Sequence, residues 1–233
     1  MNRLTAEDWE IILLSLKVSG MAVAASLPLA FGLAWLLARE RFPGKTLLDG
    51  LVHLPLVLPP VVTGWLLLLA FGPAGPLGRW FEHWFGLVFM FRWTGAALAA
   101  AIMALPLMVR AIRLSIEAID RRLEDAARTL GASRGHAFLT ISLPLAMPGI
   151  LAGAMLGFAR SLGEFGATIT FVSNIPGETR TLPIAIYSAL QVPGGEDVVT
   201  RLAIISVLLS LAALLASEAL ARRVGGRGGA HVL

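Results

Sequence analysis

The sequence contains no cysteine and little charge. None of its 233 residues is a cysteine, only 15% are charged, and four are histidines. A chain without cysteine forms neither a disulfide framework nor a thiolate metal site. The histidines are scattered and lack the H-E-x-x-H pattern of a zinc enzyme. We therefore expect no resident metal, no cofactor and no catalytic residue, which disfavours an intramembrane enzyme.

A complete phosphate-binding loop is also missing. Gly44, Lys45 and Thr46 resemble the end of a P-loop. The full motif requires a glycine five residues before Gly44, where Arg39 stands, and a strand before it. No other stretch offers the motif. Any ATP on which this protein depends must therefore be bound by another chain.

The composition predicts a membrane protein. Hydrophobic residues make up 57% of the chain, and the mean hydropathy is +0.78. Soluble domains carry about 25% charged residues, well above the fraction found here. Apolar runs lie at about 12–38, 47–71, 94–112, 145–166 and 200–220, and a bilayer crossing requires about 20 such residues. We predict an all-α polytopic membrane protein with five spans, forming one domain over residues 1–233.

Local signals place the start of the first helix and a kink in the second span. Thr5 is followed three residues later by Asp8, which is typical of a capping box, so the first helix should begin there. Pro55, Pro59 and Pro60 interrupt the second run, and proline removes a backbone donor and kinks a helix. We expect a kinked second span that faces other protein or a pore, where the freed carbonyls find partners.

Two segments between the apolar runs predict short helices outside the hydrocarbon core. The segment 72–93 is rich in Trp and Phe, which indicates an aromatic belt at the membrane–water boundary. We expect it to include a helix lying in that boundary. The segment 182–191 predicts a second short helix, capped by Thr181.

The distribution of basic residues predicts the orientation. The pI near 10.6 would also fit a nucleic-acid-binding protein, but the basic residues lie beside the apolar runs, as the positive-inside rule requires. With the N-terminus outside, twelve of the 19 basic residues fall on the inner side: Arg39, Arg41, Lys45, Arg110, Arg113, Arg121, Arg122, Arg128, Arg134, Arg222, Arg223 and Arg227. The outer segments hold Arg3, Arg79, Arg92 and Arg180. We predict an N-terminus outside the cell membrane, a cytoplasmic C-terminus and no nucleic-acid partner.

The longest polar interruption, residues 123–144, lies between the third and fourth runs and reads LEDAARTLGASRGHAFLTISLP. Leu123, Ala126, Ala127 and Leu130 have helical spacing and would form one apolar face. Gly131 follows, where a helix commonly ends. We predict a short amphipathic helix, a glycine turn and a second helical start that returns the chain to the membrane.

The fourth span carries a stripe of small residues and a charged pair. Gly149, Gly153 and Gly157 recur every four residues, which indicates close helix packing at the centre of the bundle or of a dimer. Arg160 and Glu164 follow at i and i+4, so they can form an ion pair. Charges in a membrane helix are functional candidates. A structural lock or gate hinge and a direct substrate contact are the two interpretations.

The segment 123–144 resembles a motif of the integral membrane subunits of ABC importers. That family carries E-A-A, three residues, G, nine residues, and then I-x-L-P in a cytoplasmic loop. The matching positions here are Asp125, Ala126, Ala127, Gly131, Ile141, Leu143 and Pro144, with aspartate in place of glutamate. The resemblance implies that residues 123–144 form a cytoplasmic coupling segment, whose helix around Asp125 to Gly131 docks on an ATP-hydrolysing subunit and couples ATP binding to movement of the pore.

The resemblance extends over nearly the whole chain. FPGK (42–45), LPLVLPP (54–60), ARTLG (127–131) and RSLGEFGA (160–167) look like segments of the molybdate, tungstate and sulfate permeases. TFVSNIPGETRT (170–181) resembles the molybdate members in particular. The resemblance implies a type I importer in the bacterial inner membrane. Two copies of the chain would form its pore, with two ATP-binding subunits and a periplasmic molybdate-binding protein. Sulfate or tungstate is the alternative substrate.

The path of the anion is less sharply indicated. Donor groups near the outer mouth are offered by Thr168, Thr170, Ser173, Asn174 and Arg180, and the same residues suit an ordinary gate loop. A secondary transporter is the rival class, but it would be expected to show internal repeats and ion-coupling residues at mid-membrane depth. The sequence shows no repeat and few charges at that depth.

Overall fold

The computed structural model describes residues 5–228, with side chains described up to residue 216. Arg3 and the side chains of Arg222, Arg223 and Arg227, which were counted for the orientation, lie outside this part. The helices are α1 (Ala6–Arg39), α2 (Lys45–Val57), α3 (Pro60–Phe71), α4 (Pro76–Phe85), α5 (Trp93–Glu117), α6 (Arg121–Thr129), α7 (Arg134–Ala137), α8 (Leu143–Leu162), α9 (Gly166–Val172), α10 (Leu182–Leu190) and α11 (Glu196–Gly228). A π-helical segment, Phe138–Ser142, joins α7 to α8.

Four helical stretches in the described chain are long and apolar enough to cross a membrane. They are α1, α5, the continuous stretch from α7 to α8, and α11. The second predicted run is not one kinked helix, because α2 and α3 meet at 115°. Leu58 and Pro59 are extended between them, since a residue before proline is pushed out of the helical region and proline donates no hydrogen bond. If this pair is one crossing, the candidate spans number five.

Helix α5 lies at the centre of the bundle. In the most apolar stretch of α5, 61% of the residues are buried, whereas in that of α11 only 6% are buried. Helix α5 packs against both α1 and α8. Ala96, Ala100 and Ala104 are almost completely buried, which is consistent with the close approach that small residues allow between membrane helices.

The start of α1 is joined to other helices by charged side chains. Thr5 and Asp8 form the predicted capping box. Asp8 also accepts two hydrogen bonds from Arg201 of α11, at 2.9 and 3.2 Å. About two and a half turns further along α1, the ammonium group of Lys17 lies 3.8 Å from the ring centre of Trp93. These contacts join the N-terminal parts of α1, α5 and α11 at one end of the bundle.

The two short helices predicted between the spans are present. Helix α4 exposes Trp80, Trp84 and Phe85, as a helix in an aromatic belt would. Helix α10 ends at Leu190, one residue earlier than expected. Thr181 occupies its cap position, but the hydroxyl group is buried without a hydrogen-bond partner. The predicted side-chain cap is therefore absent.

Candidate functional site

The polar interruption folds as predicted into a short helix and a glycine turn at the end of the bundle opposite Asp8. Asp120 caps α6 by accepting a hydrogen bond from the amide of Arg122 at 3.0 Å. Gly131 has a φ of +93°, a backbone conformation that costs a residue with a side chain about 1–2 kcal/mol. The chain turns there, and Ser133 caps α7 by accepting from the amide of His136.

Helix α6 presents an apolar surface that the rest of the described chain does not bury. No residue of α6 is buried. Leu123, Ala126 and Ala127, together with Leu130 just after the helix, form what we call the docking face. Leu130 is 90% exposed and Leu123 is 48% exposed. A group of exposed apolar side chains on one face, rimmed by polar residues, is typical of a surface that another protein covers.

The remaining motif positions lie at the start of α8, away from the docking face. Ile141 belongs to the π-helical segment, Leu143 is the first residue of α8, and Pro144 follows it. Pro144 has no amide hydrogen, so the carbonyl of Thr140 loses its α-helical partner. The wider turn ends with the amide of Leu143 donating to the carbonyl of Phe138. The motif therefore spans two structural parts, a docking face and a helix junction.

Sequence reasoning singled out Asp125 and missed its neighbour Glu124. The Asp125 side chain is 71% exposed and lies 4.0 Å from Arg128. Glu124 instead accepts hydrogen bonds from Arg39 at 2.9 Å and from Ser142 at 2.6 Å. These partners are 85 and 18 residues away in sequence. The local sequence offers only two adjacent carboxylates, and it does not show which of these two side chains points inward.

The glycine stripe of α8 packs against α5. A Cβ atom on Gly149 would lie 2.1 Å from the Cβ of Ser115, and one on Gly157 would lie 2.6 Å from the sulfur of Met108. Between them, a Cβ on Gly153 would lie 3.0 Å from a side-chain carbon of Ile112. Glycine is therefore required at Gly149 for these two helices to approach as closely as they do, whereas a Cβ on Gly157 would displace the flexible side chain of Met108.

Arg160 and Glu164 form an ion pair, with 2.6 Å between Nη1 and Oε2. The predicted span 145–166 is interrupted here, because α8 ends at Leu162 and α9 begins at Gly166. Glu164 therefore lies in the connection, where its other oxygen accepts from the amide of Ala167 at 2.8 Å. Its side chain is only 2% exposed. The pair closes the break between α8 and α9, which favours a structural lock.

We expect Glu164→Gln to destabilise the fold. The amide retains the shape and can still accept from Ala167, but Arg160 loses its counter-charge, at a cost of up to about 3 kcal/mol. The measurement is the midpoint of thermal unfolding in detergent. The control is Glu117→Gln, which removes a more exposed i, i+4 pair with Arg113 and should cost about 0.5 kcal/mol. Unchanged stability in Glu164→Gln would contradict the lock.

The five residues named for the anion path have different surroundings. Thr168 is buried in α9, and Thr170 donates to the carbonyl of Gly166 at 2.9 Å. Ser173 has a φ of 64° at the end of α9. Asn174 accepts from Arg180 at 3.0 Å and donates to a serine of α10. The structure does not bring all five to one opening.

Arg180 is the member of this set that lines a cleft. The cleft has a volume of about 530 Å³ and is also lined by Glu7, Asp8 and Arg201. Arg180 donates to Glu7 at 3.1 Å. Both cations are thus paired with carboxylates that would repel an anion, so the cleft offers little support for an oxyanion site. Among the described residues, no group of three metal-ligating side chains lies close enough to hold a metal ion.

This helical membrane bundle, with the unburied helix α6 between its third and fourth apolar runs, has the fold of a type I ABC importer transmembrane domain. The chain belongs to the family of binding-protein-dependent transport system inner membrane components, whose model matches residues 26–226. It is a transport subunit, and members of this family leave ATP hydrolysis to separate subunits.

Similar proteins support the family and the fold. The chain is 60% identical over 226 residues to the molybdenum transport system permease protein ModB of Escherichia coli, covering 97% of this chain and 99% of ModB. It is 38% identical to the sulfate transport system permease protein CysT of the same organism, covering 97% of this chain and 84% of CysT. The fold matches a bacterial alginate ABC transporter, solved in complex with an alginate pentasaccharide-bound periplasmic protein. The TM-score is 0.73 at 20% identity, over 94% of this chain and 80% of that chain.

Proposed function

We propose that this chain forms the pore through which an ATP-driven importer carries molybdate. The observation that most supports molybdate as the substrate is the 60% identity to ModB across nearly the full length of both chains. The sulfate permease CysT is markedly less similar, at 38%. Sulfate and tungstate stay the alternative substrates, because all three anions are tetrahedral and doubly charged.

The proposed assembly contains two copies of this chain, two ATP-binding subunits and a periplasmic molybdate-binding protein. The docking face is evidence for the ATP-binding partner, because this surface is apolar and is not buried by the chain itself. The alginate transporter, which shares the fold, was solved with a periplasmic protein bound. Helix α11 is expected to make a further contact within the membrane, because its most apolar stretch is almost wholly unburied in a single chain. Lipid or a second copy would cover it.

The proposed orientation has a periplasmic N-terminus and a cytoplasmic C-terminus. It places α6 in the cytoplasm, where ATP is available, and the Asp8 end of the bundle outside. Because the chain has no cysteine of its own, labelling of a single introduced cysteine shows on which side of the membrane that position lies. An impermeant thiol reagent added to intact cells should label Leu190→Cys and leave Leu130→Cys unlabelled. The reverse pattern would contradict the orientation.

In the proposed mechanism the chain has two states and the partners bias the balance between them. Binding of ATP closes the pair of ATP-binding subunits, and the docked α6 helices move with them. The bundles then rotate so that the pore opens outward and receives the anion from the binding protein. Hydrolysis returns the pore to its first state. The chain itself supplies positions and contacts and makes or breaks no covalent bond.

The substrate is tested by competition. The chain is reconstituted in lipid vesicles with its ATP-binding subunit and binding protein, and uptake of labelled molybdate is followed with excess tungstate or sulfate. We expect tungstate to block uptake and sulfate to have little effect. Equal inhibition by sulfate would contradict the molybdate assignment and favour a general oxyanion permease.

A further inference from the structure

Three elements that are far apart in sequence meet at one carboxylate. Glu124 lies on the first turn of α6, and a single oxygen, Oε1, accepts from Arg39 at 2.9 Å and from Ser142 at 2.6 Å. Arg39 is the last residue of α1, and Ser142 is the last residue of the π-helical segment before α8. We call Arg39, Glu124 and Ser142 the Glu124 cluster.

The cluster is largely removed from solvent. The Arg39 side chain is 8% exposed, that of Glu124 is 26% exposed, and Ser142 is fully buried. The energy of an exposed ion pair is small, whereas removing one partner of a buried pair is costly. The neighbouring Asp125 and Arg128 lie 4.0 Å apart at the surface and contribute little. Glu124 is therefore the carboxylate that joins α6 to the bundle.

The remaining attachments of α6 are weak. It has no buried residue, and its C-terminal end leads into the turn at Gly131. Besides the Glu124 cluster, Arg121 donates to the carbonyl of Arg39 at 3.0 Å. Along the chain, α6 is joined to α5 by residues 118–120 and to α7 by the glycine turn. The Glu124 cluster adds a direct connection to two further elements, the end of α1 and the segment that leads into α8.

We propose that Glu124 is the positioning residue through which α6 moves α1 and α8 together. This inference rests on the proposed function, since it requires a partner that moves α6. Displacement of α6 pulls on Arg39 at the end of α1 and on Ser142 at the start of α8. Both helices pack against the central helix α5. The movement therefore reaches both sides of the bundle without passing through the glycine turn.

The test compares transport with ATP hydrolysis in the reconstituted complex. Glu124→Gln removes the charge and keeps the shape. We expect it to lower oxyanion uptake per ATP hydrolysed about tenfold, within the 5–150-fold range typical of coupling between sites. Co-purification of the ATP-binding subunit should stay within about twofold, because the docking face is unchanged. Ser142→Ala, which retains the Arg39–Glu124 pair, should lower the uptake per ATP hydrolysed less than Glu124→Gln does.

A double-variant cycle separates this role from a structural one. If Arg39 and Glu124 act through each other, Arg39→Gln combined with Glu124→Gln should lower the ratio no further than either change alone. The control is Glu40→Gln, because Glu40 is exposed and its carboxylate makes no hydrogen bond or ion pair with the described side chains. Its ratio should equal that of the wild type.

The possible results distinguish the two proposals. An unchanged ratio in Glu124→Gln, or a fall fully explained by loss of the ATP-binding subunit, would overturn the positioning role. A wild-type complex that carries sulfate but no molybdate would overturn the molybdate assignment alone, and sulfate uptake per ATP would then test the cluster. A wild-type complex that carries neither anion would overturn the proposed function and the inference that rests on it.

Discussion

Replacing Leu130 with arginine should separate this chain from its ATP-binding partner without unfolding it. Leu130 is 90% exposed, so the folded chain loses almost no buried contact. Arginine also suits the position, because it follows the C-terminal end of α6 and cations are favoured there. In the assembled importer the leucine would be buried, and loss of such an anchor weakens an interface by at least about tenfold. Co-purification from detergent measures the effect.

The matched control is Leu190→Arg. Leu190 is 65% exposed and is the last residue of α10, at the opposite end of the bundle. The chemical change is the same, and the helix position is similar. We expect this variant to retain the ATP-binding subunit fully. Equal retention by both variants would contradict the docking face, and equal loss by both would indicate general damage to the protein.

Adding one methyl group at Gly149 should destabilise the bundle strongly. A Cβ at this position would lie 2.1 Å from the Cβ of Ser115 and 3.2 Å from the carbonyl oxygen of Ala111. The helices α5 and α8 must separate to admit it, and overpacking of this kind typically costs about 1–3 kcal/mol. We expect Gly149→Ala to lower the midpoint of thermal unfolding in detergent and the yield of folded protein.

A second change should restore much of this loss. Ser115→Gly removes the nearest atoms, so Gly149→Ala with Ser115→Gly should be more stable than Gly149→Ala alone. Gly20→Ala is the control, because no atom lies within 4 Å of a Cβ placed on Gly20 and alanine favours a helix by about 1 kcal/mol. It should leave stability equal or higher. Failure of Ser115→Gly to restore stability would contradict the proposed contact.

Much of the fold follows from the sequence because membrane helices are specified locally. The apolar runs predicted the long helices, and the spacing of Thr5 and Asp8 predicted the first cap. The sharp break between α2 and α3 was not predicted in full. Pro59 and Pro60 indicated a kink, but the 115° angle depends on how α3 packs against α9. Gly64 and Gly166 lie in that contact, and no local pattern links them.

The candidate site was predictable where a local rule applies. Gly131 marks a turn that requires positive φ, and the spacing of Leu123 and Leu130 indicates one apolar face. The role of Glu124 was not predictable, because it depends on Arg39 and Ser142, which approach only in the folded chain. The π-helical segment also depends on tertiary packing, since Pro144 removes a hydrogen bond but does not specify how the helix adapts.

The most direct test of the account is the energy source of transport. Vesicles containing the chain, its ATP-binding subunit and the binding protein are loaded with ATP, or instead given a proton gradient without ATP, and molybdate uptake is measured in both. We predict uptake with ATP, none with the gradient alone, and none when the ATP-binding subunit cannot hydrolyse ATP. Uptake that follows the proton gradient without ATP would contradict the account and indicate a secondary transporter.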